Sequence, residues 1–146
     1  MANIFNGNFI RITQIRSLTT LAAAPEGVKI ANPGWAPTGL PELPVQLVEF
    51  EINTPDRKIL QPQVGSAAKE FSDWVSKAAK NGTLDTTRGV LFSGVILSHF
   101  GFTLGEATHY FPFAGAYEPR TGGGWVAHSH GAPVSKGDPI FLDLSK

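Results

Sequence analysis

The chain predicts a single α/β domain on one mixed β-sheet with two helices. Three observations carry this: alternating apolar and polar residues near both ends, a helix-period apolar stripe in the middle, and an apolar run like that of a central strand. At 146 residues the chain fits one domain, 1–146. Its 42% apolar content is enough to bury roughly two-thirds of the surface that the unfolded chain exposes.

The segment from Phe9 to Ile15 (FIRITQI) alternates and predicts the first strand. From Ser17 to Pro44 the pattern breaks, with Pro25, Pro33, Pro37, Pro41, Pro44 and Gly27, Gly34 and Gly39 making 17–44 a long irregular insertion. It reads either as a variable surface loop or, through Trp35 and Leu40, as a cover over something else. Val45 to Ile52 (VQLVEFEI) predicts a second strand, with Val48, Phe50 and Ile52 inward and Glu49 and Glu51 on a solvated face. Ser66 is the expected N-cap of a helix whose stripe is Ala67, Phe71, Trp74, Val75 and Ala78, ended by Asn81-Gly82. Gly89 to Gly94 (GVLFSG) is apolar throughout, as a central strand is. A second helix is expected over Ser98 to Thr108, weakened by Gly101 and Gly105. Pro112 to Tyr117 and Trp125 to His130 predict a hairpin across the glycine-rich turn Glu118 to Gly124. After a turn at Lys136-Gly137-Asp138, Ile140 to Leu144 closes the order β-β-α-β-α-β-β-β.

Twelve basic and twelve acidic residues cancel, so the chain lacks the cationic excess that drives counterion release on long nucleic acid. Charged residues are 16% of the chain, against about 25% in typical domains. The expected reason is surface covered by further copies of the chain. With no cysteine, disulfides, thiol nucleophiles and thiolate metal sites are excluded, leaving His and carboxylate as metal ligands. The opening MANIFNGNF does not read as a signal peptide. The uncharged stretch Gly89 to Gly105, interrupted by Ser93, Ser98 and His99, falls short of the ~20 residues of a membrane span. A soluble, cytoplasmic protein with no membrane partner is expected.

All four histidines lie between His99 and His130, while Gly89 to Ser135 holds three charged residues, Glu106, Glu118 and Arg120. His128 and His130, two apart on a strand, share a face, as metal- or phosphate-binding pairs do. A histidine on an apolar strand is equally a core residue with its hydrogen bonds met. A cupin-type site also needs a carboxylate shortly after the pair, and GAPVSK has none. Glu118 and Arg120 flank Pro119 before glycines that let backbone N–H groups approach an anion; the alternative is a surface ion pair at a turn.

The runs DTTRGVLFSG and HYFPFAGAYEPRTGGG, then SH and KGD, resemble the small CRISPR-associated ring nucleases of type III systems, the Csx-three family, also described as manganese-dependent RNA deadenylases. The resemblance covers about Asp85 to Asp138. It implies a fold related to the cyclic-oligoadenylate-sensing, CARF-like domains, a homodimer, cyclic tetra-adenylate as substrate, and Mn²⁺ dependence. His109, Glu118, Arg120 and His130 stand at the family's histidine, aspartate, arginine and second histidine. They are the implied catalytic set, with His109, Glu118 and His130 as implied Mn²⁺ ligands. Ser93, Gly94, Arg120, Thr121, Gly122 and Ser129 are the expected ligand contacts. Where the family has S-G-R-G-P, this chain has Ser93-Gly94-Val95-Ile96-Leu97, so a cation is missing, and its aspartate is here a glutamate.

Pairing across the 119–124 turn puts Glu118 near the turn and His130 beside Pro112, Phe113 and His109. At ~3.3 Å per residue the two groups lie roughly 17 Å apart along the strand. One phosphodiester cannot touch both. Either one group is functional, or the Glu118/Arg120 end of one subunit meets the His109/His130 end of another, stacking dimers head-to-tail into a tetramer or filament. In RNA-type cleavage the 2′-hydroxyl is itself the nucleophile. His109 and His130 would act as acid and base and Arg120 as the phosphorane clamp. Glu118 with a histidine would hold Mn²⁺, and His128 would be spare or structural. Tyr110, Phe111 and Tyr117 could stack on adenine or belong to the core. The expected function is a ring nuclease that ends the antiviral signal. The alternatives are a non-catalytic binder of the same ligand and a Mn²⁺-dependent 3′ exonuclease on oligoadenylate RNA.

Overall fold

The computed structural model describes residues 4–25, 39–94, 98–118 and 123–144. They form one α/β domain on a seven-stranded mixed sheet whose spatial order follows the chain. The strands are β1 (Phe5–Asn6), β2 (Ile10–Thr19), β3 (Pro44–Ile52), β4 (Gly89–Ser93), β5 (Phe113–Glu118), β6 (Gly123–Ser129) and β7 (Pro139–Phe141). The helices are α1 (Val64–Asn81) and α2 (Ser98–Ala107). β3, β4 and β5 run parallel because α1 and α2 serve as their crossovers; the remaining pairs are antiparallel.

Period dictates the layers. On β3, Val48, Phe50 and Ile52 face the helices and join Phe71, Trp74 and Val75 of α1 and Leu104 of α2 in one core. Phe71 meets Phe50 and Phe92 edge-on, with ring centres 4.7 and 5.5 Å apart. Val45, Leu47, Leu91, Phe113 and Val126 form a second core on the opposite face, covered by Ala132, Val134 and Leu144. The expected solvated face of the second strand is thus confined to its end at Glu49 and Glu51. Val45 and Leu47, on the same side, are fully buried beneath the C-terminal segment. β4 occupies the middle of the sheet with all five residues buried, as its unbroken apolar run requires.

Several boundaries differ from those expected. β2 runs on to Thr19, which pairs with Pro44, so Ser17 to Thr19 and Pro44 belong to strands and not to the 17–44 insertion. A register shift between Ile12 and Gln14 interrupts the alternation, while pairing with β3 carries the strand onward. Of the insertion's named residues, Leu40 is tied to the Ala22 carbonyl (2.8 Å), and Trp35 lies outside the described residues. α1 starts at Val64, so Ser66 sits inside the first turn and is not the cap. A 3₁₀ turn at Gln61–Gln63, seeded by Pro62, leads into it, and the Gln63 side chain accepts the Leu60 N–H at 3.1 Å. Gly82, at φ 85°, ends α1 in the left-handed conformation that glycine adopts without strain. β1 is an additional short edge strand. β7 is shorter than its predicted counterpart and β6 starts earlier, at Gly123.

Candidate functional site

Parallel strands release their chain at one edge, and the crevice outside their carboxyl ends is where open α/β sheets bind ligands. Here that edge, at the ends of β3, β4 and β5, opens into a cavity of about 1080 Å³. Phe50, Phe92 and Trp125 supply apolar wall, and Ser93, Glu118 and His128 are among its polar groups. Trp125, one of the lining residues, is 52% exposed. At the β3 side Glu51 is ion-paired with Arg11 and, at 3.0 Å, with Arg57. The Arg11 hydrogen bond holds the Glu51 carboxyl below the usual carboxylate range, and Arg57 adds to the effect. Arg57 carries this charge to the cavity wall from a backbone at φ 59°, a conformation non-glycine residues rarely take.

At the other end of the β5–β6 hairpin three imidazoles gather. Phe113 pairs with Ser129 and the His130 N–H donates to the Pro112 carbonyl at 2.7 Å, which brings His130 to the residues following α2. His109 Nδ1 and His130 Nε2 are 3.0 Å apart, and both side chains are exposed. His128, on the same face of β6, has its ring centre 4.9 Å from that of His130 and 5.7 Å from that of His109. Its Nε2 is 2.5 Å from the hydroxyl of buried Thr108. That hydroxyl donates to the Leu104 carbonyl at 2.6 Å, so it accepts from His128 Nε2–H, leaving Nδ1 as a lone pair. Nδ1 is buried and has no partner. Burial favours the neutral ring and lowers the His128 pKa below the ordinary imidazole value; His130 and His109 push the same way.

Of the sequence-predicted residues, Ser93, Gly94 and Glu118 line the cavity, while His109 and His130 meet at the far end of the hairpin. Glu118 pairs with Gly123 at the turn, five residues along β5 from Phe113, a separation of about 17 Å at ~3.3 Å per residue. His109, Glu118 and His130 therefore do not assemble around Mn²⁺ within one chain. Two imidazoles without a carboxylate are also a poor donor set for that oxygen-preferring ion. Among the described residues, no three His, Cys, Asp or Glu side chains stand in metal-holding geometry as they are. Arg120, Thr121 and Gly122 lie outside the described residues. The Ser129 hydroxyl donates to the Ala132 carbonyl at 3.3 Å, a bond within the chain's own turn. Phe111 and Tyr117 are buried core rings, whereas Tyr110 is 53% exposed.

Two contributors were not anticipated and a third was given a lesser role. His128, read from sequence as spare, lines the cavity and touches Thr108. The two-residue step to His130 already put it on the site face, a usable signal. Trp125 and the Glu51–Arg57 pair reach the cavity through sheet packing, for which local sequence carries no sign. No helix among the described residues is long and apolar enough to cross a membrane. No protein-family model matches the chain, and no curated protein matches it.

Proposed function

We propose that the chain is a ring nuclease: it opens cyclic tetra-adenylate by in-line attack of a ribose 2′-hydroxyl on the adjoining phosphodiester, ending a cytoplasmic type III CRISPR antiviral signal. The observation that carries this reading is the exposed His109–His130 pair. Two neutral imidazoles 3.0 Å apart share one hydrogen, so one ring offers a lone pair and the other an N–H. They place a hydrogen-bond acceptor and a donor side by side, the pairing that a base and an acid need. The base takes the 2′-hydroxyl proton, the oxygen forms a bond to phosphorus, and the P–O5′ bond breaks with a proton passing to O5′. The products are a 2′,3′-cyclic phosphate and a 5′-hydroxyl.

The Asp85 to Asp138 resemblance supports the substrate and assigns Arg120 to the phosphorane. It also supports kinship of the sheet with CARF-like domains, a reading with which a cavity at the carboxyl ends of parallel strands agrees. The separation of Glu118 from the histidines favours a site shared between copies, the Glu118 end of one facing the histidines of the next. The side chains named here carry every step, none of which passes through Mn²⁺.

A second reading, a non-catalytic binder, is favoured by the cavity itself, which is lined by Ser93, Gly94 and Glu118 but not by His109 or His130. Incubating the purified protein with cyclic tetra-adenylate, once with Mn²⁺ and once with chelator, separates the two and tests the metal requirement. Linear product with a 2′,3′-cyclic phosphate is expected, and His109→Ala or His130→Ala should slow its release by about 10²-fold or more. Binding without turnover would overturn the enzyme reading in favour of the binder. Mixing Glu118→Ala with His130→Ala should restore part of the activity if the site is shared.

A further inference from the structure

We propose that His109, His128 and His130 form a three-imidazole site for a borderline divalent cation, Zn²⁺ first among them, which the foregoing reading does not require and which, when loaded, would take the His109–His130 pair away from its acid–base role. The ring centres form a triangle with sides of 4.8, 4.9 and 5.7 Å. Three imidazoles on one tetrahedral ion, each nitrogen at ~2.0–2.1 Å from it, hold their ring centres about 5 Å apart. The ring centres thus stand at that spacing, while the nitrogens do not yet converge.

The nitrogens agree with the rings. His109 Nδ1 and His130 Nε2, 3.0 Å apart, are close to the separation of two nitrogens sharing one ion. His128 contributes the third donor: its Nδ1 lone pair is buried without a partner, an expense the fold otherwise leaves unexplained. Its other nitrogen donates to Thr108 Oγ1, the outer contact by which metal-binding histidines are oriented and their tautomer set. As the rings stand, the pair is engaged with itself and the donors do not converge. His109 and His130 are exposed, so loading the site asks these two rings to turn and give up their mutual hydrogen bond. The hydrogen bonds and ring contacts of the three imidazoles are with one another and with Thr108. A donor set of imidazoles alone selects Zn²⁺, Co²⁺ or Ni²⁺ over Mn²⁺ or Mg²⁺ and leaves a fourth position for water.

Metal binding is measured on the full chain without any nucleotide, so it stands or falls separately from the proposed cleavage. Protein stripped with chelator and titrated with Co²⁺ should take one ion per chain and develop the intense visible bands of tetrahedral cobalt. Zn²⁺ should abolish those bands, and excess Mn²⁺ should not. Thr108→Val, which keeps all three ligands, should weaken Co²⁺ binding by about 10- to 100-fold. His130→Ala, which removes an exposed ring, should lose the tetrahedral bands, while His99→Ala should keep them. Weak octahedral bands in the parent chain, or full tetrahedral bands in His130→Ala, would overturn the site.

Discussion

Phe71 is fully buried and wedged edge-on between Phe50 and Phe92, so truncation opens a cavity that sheet and helix cannot both close. Phe71→Ala should lower unfolding free energy by about 3–5 kcal/mol in urea titration; a loss below about 1 kcal/mol would mean the helix–sheet core is packed differently. Glu51 sets a pH dependence. Its carboxyl is held below the ordinary value in the fold, chiefly by Arg11, so the stability it contributes is complete above the unfolded pKa. That stability is lost as pH falls through the folded value. Glu51→Gln should therefore flatten the acid limb of a stability-against-pH curve below about pH 4.5 and leave the neutral region parallel to the parent. An unchanged acid limb would show that Arg11 and Arg57 do not hold the carboxylate in solution.

At the scale of elements, one side chain ties helix to sheet. Glu70 on α1 accepts the N–H groups of Asn8, Phe9 and Ile10 at 2.9, 2.8 and 2.9 Å, capping the entry to β2. Glu70→Ala strands those donors, and hydrogen bonds to charged groups are worth about 1.5–3 kcal/mol. The expected signature is selective: amide exchange at Asn8, Phe9 and Ile10 accelerates while β4 and α1 stay protected. Equal acceleration throughout would mean the carboxylate supports the whole fold and not this junction. The β5–β6 hairpin depends on glycine in the same local way. A Cβ on Gly115 would collide with the Trp125 carbonyl, and one on Gly124 with that of Ala116, both backbone atoms that cannot swing aside. Gly115→Ala should therefore disturb the hairpin that carries His128 and His130, read as a shift of the His128 and His130 ring resonances. Unmoved resonances would show that the strands can separate enough to admit a methyl group.

For the whole molecule, the balance of twelve basic and twelve acidic residues gives a concrete expectation for partners. Long polyanions gain little from a neutral chain, so poly(A) RNA should be retained weakly and lose what retention it has between 50 and about 200 mM salt. A small ring held between copies should instead drive assembly. Light scattering should report larger species on adding cyclic tetra-adenylate to the parent chain and a smaller change with His109→Ala/His130→Ala. Assembly independent of ligand would count against a shared site.

Much of this architecture is written locally. The 3.6-residue stripe from Ala67 to Ala78 determined α1, Gly82 determined its end, and the continuous apolar run at 89–93 determined the strand that lies in the middle of the sheet, because period and turn chemistry act over a few residues. The hairpin spacing likewise brings His130 to His109. Only the tertiary structure decided the rest. It buried Val45 and Leu47 on the face that alternation assigned to solvent, by laying residues 132–144 across it. It carried β2 past its broken alternation through pairing with β3. It also seated His128 against Thr108, twenty residues away, and left one of its nitrogens without a partner. These outcomes depend on which segments come to lie side by side, a long-range packing choice that no local period encodes.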